Sequence, residues 1–127
     1  MIRQKTGVVL ESLRLRIKDG ITTAANLGFK GIQIDATQRD ISPENLSQTG
    51  RRELKRIIDL SKLSLCALSG ELGVGFINHN EFDLIIKRTK EIINLALDLQ
   101  TNIVTVQIGS IPTDNDSTHW HAVNAAL

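Results

Sequence analysis

Residues 17–35, IKDGITTAANLGFKGIQID, predict a helix that leads after a short spacer into a strand. Apolar or small residues recur at helical spacing as far as Ala25, and Gly28 is the type of residue at which helices commonly end. Residues 31–35 then alternate between apolar and polar side chains, as a half-buried strand does. We therefore expect a helix and a strand here, with Asp35 at the end of the strand.

The rest of the chain repeats this alternation. Further strands are predicted at residues 7–10, 63–69 and 102–108, and further helices at about 50–61 and 80–99. Capping residues in the final stretch, DNDSTHWHAVNAAL (114–127), indicate a fourth helix that has only begun when the sequence stops. The order β-α-β-α-β-α-β-α, with crossovers of this length, favours parallel strands.

Two architectures share this order: an open doubly wound sheet and part of a closed barrel. In the second strand Ile32 and Ile34 lie on one face, whereas Gln33 and Asp35 lie on the other. An open sheet has helices on both faces and prefers apolar residues on both, but a barrel has helices outside only. The pattern therefore predicts one parallel (βα)4 domain over residues 1–127, half of a TIM (βα)8 barrel, truncated in or near its fourth helix.

Composition excludes several classes of function. The chain has 127 residues, a net charge of +1 and 3% aromatic residues, so it has no broad basic footprint for nucleic acid or an anionic membrane. A basic cluster on the second helix is predicted to be a solvated face, and it consists of Arg51, Arg52, Lys55 and Arg56. With no signal peptide or spanning segment apparent, we expect a cytoplasmic protein whose single cysteine, Cys66, is buried.

Polar residues at the ends of the predicted strands form the candidate site. Glu11, Asp35 and Gln107 follow the first, second and fourth strands, so they would face a common barrel mouth. Glu71 and His79 lie in the loop after the third strand and are added as possible substrate contacts. Structural roles stay open beside this one: a turn cap for the first, an Asx turn for the second and backbone pairing for the amide.

The chain shows no convincing metal site of its own. The imidazoles of His119 and His121 are two residues apart, so they diverge on a helix. Asp114-Asn-Asp116 begins like a calcium loop but lacks the glycine and glutamate that such a loop needs. We therefore predict no metal ligand and no cofactor within these residues.

The quoted stretch 17–35 also resembles the first helix and second strand of the xylose-isomerase-like TIM barrel superfamily of sugar and sugar phosphate isomerases and epimerases. Members show a helix, Leu-Gly-Phe, a short spacer, and Ile or Val around an acidic residue. The later stretches LSLCALSGELG (63–73) and NIVTVQIGSIP (102–112) are similar to the third and fourth units of that superfamily.

This resemblance implies a partial enzyme. The superfamily barrel has eight strands, and Glu, Asp, His and Glu of the later four hold a divalent metal (Mg, Mn, Zn or Co) for enediolate chemistry. The chain would thus be an N-terminal half that contributes pocket walls for a sugar or sugar phosphate in carbohydrate metabolism. It lacks the usual ligands, so we expect it to be inactive alone.

An alternative is a non-catalytic half-barrel. Its first and last strands would be open edges, through which two copies could close a 4+4 barrel as a homodimer. It could equally bind a small ligand without turning it over.

Overall fold

The computed structural model describes residues 4–72, 81–109 and 118–126. The elements are β1 (Gly7–Val9), a 3-10 helix (Leu10–Leu13), α1 (Ile17–Asn26), β2 (Gly31–Asp35), α2 (Gln48–Leu60), β3 (Ser64–Ser69), α3 (Phe82–Asp98), β4 (Val104–Thr105) and α4 (Thr118–Ala126). The four strands are parallel and lie in the order β1-β2-β3-β4. This confirms the predicted alternation. No helix among the described residues is long and apolar enough to cross a membrane.

Local chemistry sets the helix ends. After α1, Gly28 has φ of +89°, a conformation that suits glycine because it has no Cβ. The Ser47 side chain accepts a hydrogen bond of 3.1 Å from the Gly50 amide and caps α2. Helix α2 therefore begins at Gln48, two residues before the predicted start at residue 50. The predicted cap of the third helix, Asn80, lies outside the described residues.

The core lies between the sheet and its helices. Ile34, Leu68 and Val104 are in register on three neighbouring strands, and the first two are fully buried at 0% exposure. Ile21 of α1, Ile58 of α2 and Leu95 of α3 belong to the same buried layer of side chains. All three helices therefore cover one face of the sheet, which we call the outer face.

Strand β4 is shorter than predicted. It pairs only through Val104 and Thr105, rather than over residues 102–108. Ile103 and Val106 on either side are 54% and 39% exposed, so burial does not extend the pairing beyond these two residues.

The prediction for Cys66 is wrong, because the thiol is exposed. Pairing shifts register so that Ile32 faces Leu65 but Gln33 faces Ala67, which leaves Cys66 as an extra residue in a bulge. Its sulfur lies above Gly31, on the face opposite the helices, which we call the inner face.

The prediction for the basic cluster holds in part. Lys55 pairs with Asp59, and Arg56 with Glu53, along the surface of α2. Arg51 differs, because its side chain is only 12% exposed and its Nη1 donates to Asp98 Oδ2 at 2.6 Å. That hydrogen bond lowers the pKa of the Asp98 carboxyl below its ordinary value. Arg51 therefore ties α2 to α3 instead of facing solvent.

Candidate functional site

Two of the predicted site residues meet at the carboxyl end of the sheet. Glu11 Oε1 accepts a hydrogen bond of 2.7 Å from the backbone amide of Asp35, which lies 24 positions further along the chain. Strand β1 ends at Val9, where the chain turns into the 3-10 helix. Beyond that point the Glu11 side chain, rather than a strand carbonyl, accepts the hydrogen bond of the Asp35 amide. Glu11 is thereby fixed against the end of β2.

Asp35 is held in a defined position as well. Its Oδ1 accepts hydrogen bonds from the Thr37 amide at 2.9 Å and the Thr37 hydroxyl at 2.6 Å. This is the Asx turn that the sequence left open as a structural role. Among the described residues nothing donates to Oδ2 of Asp35, which leaves that oxygen available to a ligand.

A row of polar residues crosses the inner face beside these carboxylates. Asp35, Ser69 and Thr105 are in register on β2, β3 and β4, so their side chains share a face. The row directly before it, Ile34–Leu68–Val104, belongs to the apolar outer face. Ser69 and Thr105 were not among the residues that the sequence predicted for the site. Alternation along each strand could have placed both residues on the inner face. Their alignment with Asp35 depends on the register between strands, which the sequence of one strand does not determine.

Glu11 also carries an unsatisfied oxygen. Its Oε2 is buried and has no hydrogen-bond partner among the described residues. A buried acceptor without a donor destabilises a protein by about 1–3 kcal/mol, and by more when the group is charged. A ligand hydroxyl that donated to this oxygen would remove the penalty.

The other predicted residues are less constrained. Glu71 follows β3 after Gly70, Gln107 follows β4 after Val106, and both are exposed. Neither forms a hydrogen bond with another described residue. His79 lies outside the described residues. The structure thus brings together Glu11 and Asp35, and places Glu71 and Gln107 near the same edge without a shared contact.

The described residues do not fit a bound metal. No three His, Cys, Asp or Glu side chains among them cluster closely enough to hold an ion. In the pair Glu11 and Asp35, one oxygen of each carboxylate already accepts protein hydrogen bonds. The metal chemistry expected of an intact relative is therefore not assigned to these residues.

This architecture defines a class: four parallel βα units that correspond to half of a TIM barrel. Among solved structures, a xylose isomerase domain protein from Planctomyces limnophilus matches with a TM-score of 0.73 and 14% identity, over 95% of this chain and 46% of its own. A sugar phosphate isomerase/epimerase from Parabacteroides distasonis matches with a TM-score of 0.65 and 13% identity, over 99% of this chain and 46% of its own.

A third solved structure is more similar to this chain in sequence than these two are. The probable 3-DHS dehydratase AsbF from Bacillus anthracis, involved in petrobactin synthesis, is 22% identical with a TM-score of 0.62, over 81% of this chain and 38% of its own. No protein-family model matches the sequence, and neither does any curated protein.

The fold is therefore that of one half of a TIM barrel, and these xylose isomerase-like and sugar phosphate isomerase/epimerase proteins share it. The chain spans less than half the length of each of these solved proteins.

Proposed function

We propose that this chain forms one wall of a barrel pocket for a sugar or sugar phosphate, as part of an isomerase- or epimerase-like protein of carbohydrate metabolism in the cytoplasm. The observation that carries the proposal is the pair Glu11 and Asp35 at the carboxyl end of the sheet, with one buried oxygen of Glu11 that has no hydrogen-bond partner among the described residues. Active sites of TIM barrels lie at this end of the strands.

The chemistry of the row favours a ligand with several hydroxyl groups. Glu11 and Asp35 supply acceptor oxygens, while the hydroxyls of Ser69 and Thr105 can both donate and accept. Neighbouring strands are about 4.8 Å apart, so the row from β2 to β4 spans about 10 Å, roughly the length of an extended five- or six-carbon sugar. Two carboxylates would repel a phosphate, so we expect the phosphate of a sugar phosphate to lie away from Glu11 and Asp35.

Turnover needs more than these residues. Proton transfer beside a carbonyl requires an acid, a base and stabilisation of the developing oxyanion. Two carboxylates can act as acid and base, but no ion pair among the described residues places a cation on either of them. We propose that the chain alone does not interconvert sugars, and that a divalent metal enters only in an intact relative. Metal-dependent turnover of a ketose by the purified chain would refute this.

Binding is tested by nuclear magnetic resonance with ¹⁵N-labelled protein. A panel of aldoses and ketoses, each with and without a phosphate ester, is titrated while the amides of Asp35, Thr37 and Ser69 are followed. We expect chemical-shift changes to concentrate at these amides. Both the free sugar and its phosphate ester should cause them. Shifts spread evenly over the surface, or none at saturating sugar, would contradict the proposal.

Two substitutions separate binding from folding. Glu11→Gln keeps an acceptor for the Asp35 amide but replaces the other oxygen, and Asp35→Asn keeps the Asx oxygen. A hydrogen bond to a charged group contributes about 1.5–3 kcal/mol, so each change should weaken sugar binding about tenfold or more. Asp19→Asn removes an exposed carboxylate in the first turn of α1 and should leave binding unchanged.

A second candidate function is assembly of a 4+4 barrel from two copies. Exposed apolar side chains on and beside the sheet favour it: Val9 of β1 is 43% exposed, and Ile103 just before β4 is 54% exposed. Burial of such residues drives association. Sedimentation equilibrium is expected to show a dimer that Val9→Lys converts to a monomer. A wild-type chain that stays monomeric at high concentration would exclude this candidate.

A further inference from the structure

A cavity lies at the opposite, amino-terminal end of the sheet. Its volume is about 470 Å³, which is within the range of small-molecule sites. The residues that line it include Lys5, Lys30, Lys62, Gly7, Gly31 and Cys66. The three lysines hold related positions in the fold, because each lies one or two residues before a strand: β1, β2 and β3. Consecutive parallel strands therefore bring three lysine residues to one opening.

No opposite charge offsets these ammonium groups. None of the described residues that line the cavity is acidic. Lys5, Lys30 and Lys62 also form no ion pair with any described residue. Three of the four basic residues of α2 differ, since Arg51, Lys55 and Arg56 have carboxylate partners. The cavity therefore has a local positive potential although the whole chain has a net charge of only +1.

Two closely packed glycines of β1 and β2 line this cavity. Gly7 and Gly31 face each other across β1 and β2, and a Cβ atom on Gly7 would lie 3.2 Å from the Gly31 carbonyl oxygen. A Cβ atom on Gly31 would collide with the Cys66 sulfur. The hydroxyls of Thr6 and Ser64 also line the space. The lining between the lysines therefore includes two hydroxyl groups that can donate hydrogen bonds to an oxyanion.

We propose that the amino-terminal end of the sheet binds a phosphate-bearing small anion through Lys5, Lys30 and Lys62. Compact ammonium groups bind phosphate as point charges, and three of them match an anion with two or more negative charges. This site is independent of the proposed sugar pocket, because the two lie at opposite ends of the same strands. Either one can fail without the other.

The single cysteine provides a direct measurement. Cys66 is the one thiol of the chain and is exposed in the cavity, so an occupant should slow its alkylation by iodoacetamide, a neutral reagent. We expect pyrophosphate to slow the reaction severalfold relative to potassium chloride at equal ionic strength. It should also shift the Gly7 and Gly31 amide resonances. Equal alkylation rates in the two salts would overturn the proposal.

Matched triple variants test the role of the lysines. K5Q/K30Q/K62Q removes the cavity charges, while K18Q/K87Q/K90Q removes the same number of exposed lysines from helices. Each exposed charge contact contributes about 1.4- to 5-fold in affinity, so the cavity variant should lose about 3- to 100-fold and the helix variant little. Equal losses in both variants would contradict specific binding. If the cavity triple unfolds, its three single variants decide the same question.

The phosphate source is resolved by a further comparison. Inorganic phosphate, pyrophosphate and glycerol phosphate are tested in the same protection assay. Stronger protection by glycerol phosphate supports an organic phosphate, and stronger protection by pyrophosphate supports an inorganic polyanion. Lys30 and Lys62 also lie shortly after the carboxyl ends of α1 and α2, whose dipoles favour cations. If they serve only that purpose, their removal lowers stability and no anion protects Cys66, which overturns the proposal.

Discussion

The two faces of the sheet differ in how completely this chain covers them. On the outer face Ile32, Ile34 and Leu68 are fully buried at 0% exposure, under helices that the same chain supplies. On the inner face Val9 is 43% exposed, the Cys66 thiol is exposed, and Gln33 and Asp35 are half-buried, although Ala67 and Ser69 there are buried. The outer face therefore carries the stability of the fold, and the inner face is where binding or association has room to occur.

Truncation of neighbouring residues on β2 should give the largest contrast. Ile34→Ala leaves a cavity under the helices and should lower the free energy of unfolding by about 2–5 kcal/mol. Gln33→Ala, one residue earlier on the inner face, should cost less than about 1 kcal/mol. Urea unfolding of both variants measures the difference. Similar losses would mean that the two faces are equally important for stability.

Gly31→Ala tests the tight packing under the bulge of β3. The new methyl group would collide with the Cys66 sulfur, so we expect a loss of about 1–3 kcal/mol in unfolding free energy. Cys66→Ala removes that sulfur and should suppress most of the loss in the double variant. A cost that is the same with and without the sulfur would show that another contact excludes the methyl group.

The same exchange at two neighbouring positions of β1 gives a smaller contrast. Val8 packs against the core and Val9 is exposed on the inner face. Val8→Thr buries a hydroxyl and should cost about 1 kcal/mol or more, whereas Val9→Thr should stay within about 0.5 kcal/mol. Thermal unfolding of the two variants is sufficient for this test. Equal shifts in Tm would contradict the assignment of faces in β1.

The smallest effect concerns the helix layer and depends on pH. The hydrogen bond from Arg51 lowers the pKa of Asp98, so this pair stabilises the fold above about pH 4, the ordinary pKa of an aspartate. That contribution is lost as the pH falls through the lowered value. Between pH 7 and pH 3, wild type should therefore lose slightly more stability than Asp98→Asn does. Asp19→Asn controls for the removal of a carboxylate, and an equal loss in wild type and Asp98→Asn would contradict the role of the pair.

Much of this fold was predictable because its signals are local. Alternation in residues 31–35 placed Ile32 and Ile34 on the apolar face, and β2 has the predicted bounds. The glycine signal correctly marked the end of α1. Helix α2 begins earlier than predicted, at Gln48, because Ser47 caps its amino-terminal end. Periodicity and end signals arise from neighbours in the chain, so a reader of the sequence can find them.

The candidate site was predictable in part. Parity and position at strand ends selected Glu11 and Asp35, which do meet. Those signals could not show that Glu11 pairs the Asp35 amide, or that Ser69 and Thr105 extend the polar row. These facts depend on the register between strands, which non-local packing determines.

The sequence by itself determined the order of elements, the apolar face of the second strand and the resemblance to one class of barrel. Only the tertiary structure decided that a bulge places Cys66 outside the core, and that three lysines from separate segments line one cavity. The physical reason is the range of the interactions. Helical and strand periodicity depends on residues that are close in the sequence. Strand register, bulges and clusters of side chains arise when segments far apart in the chain pack together.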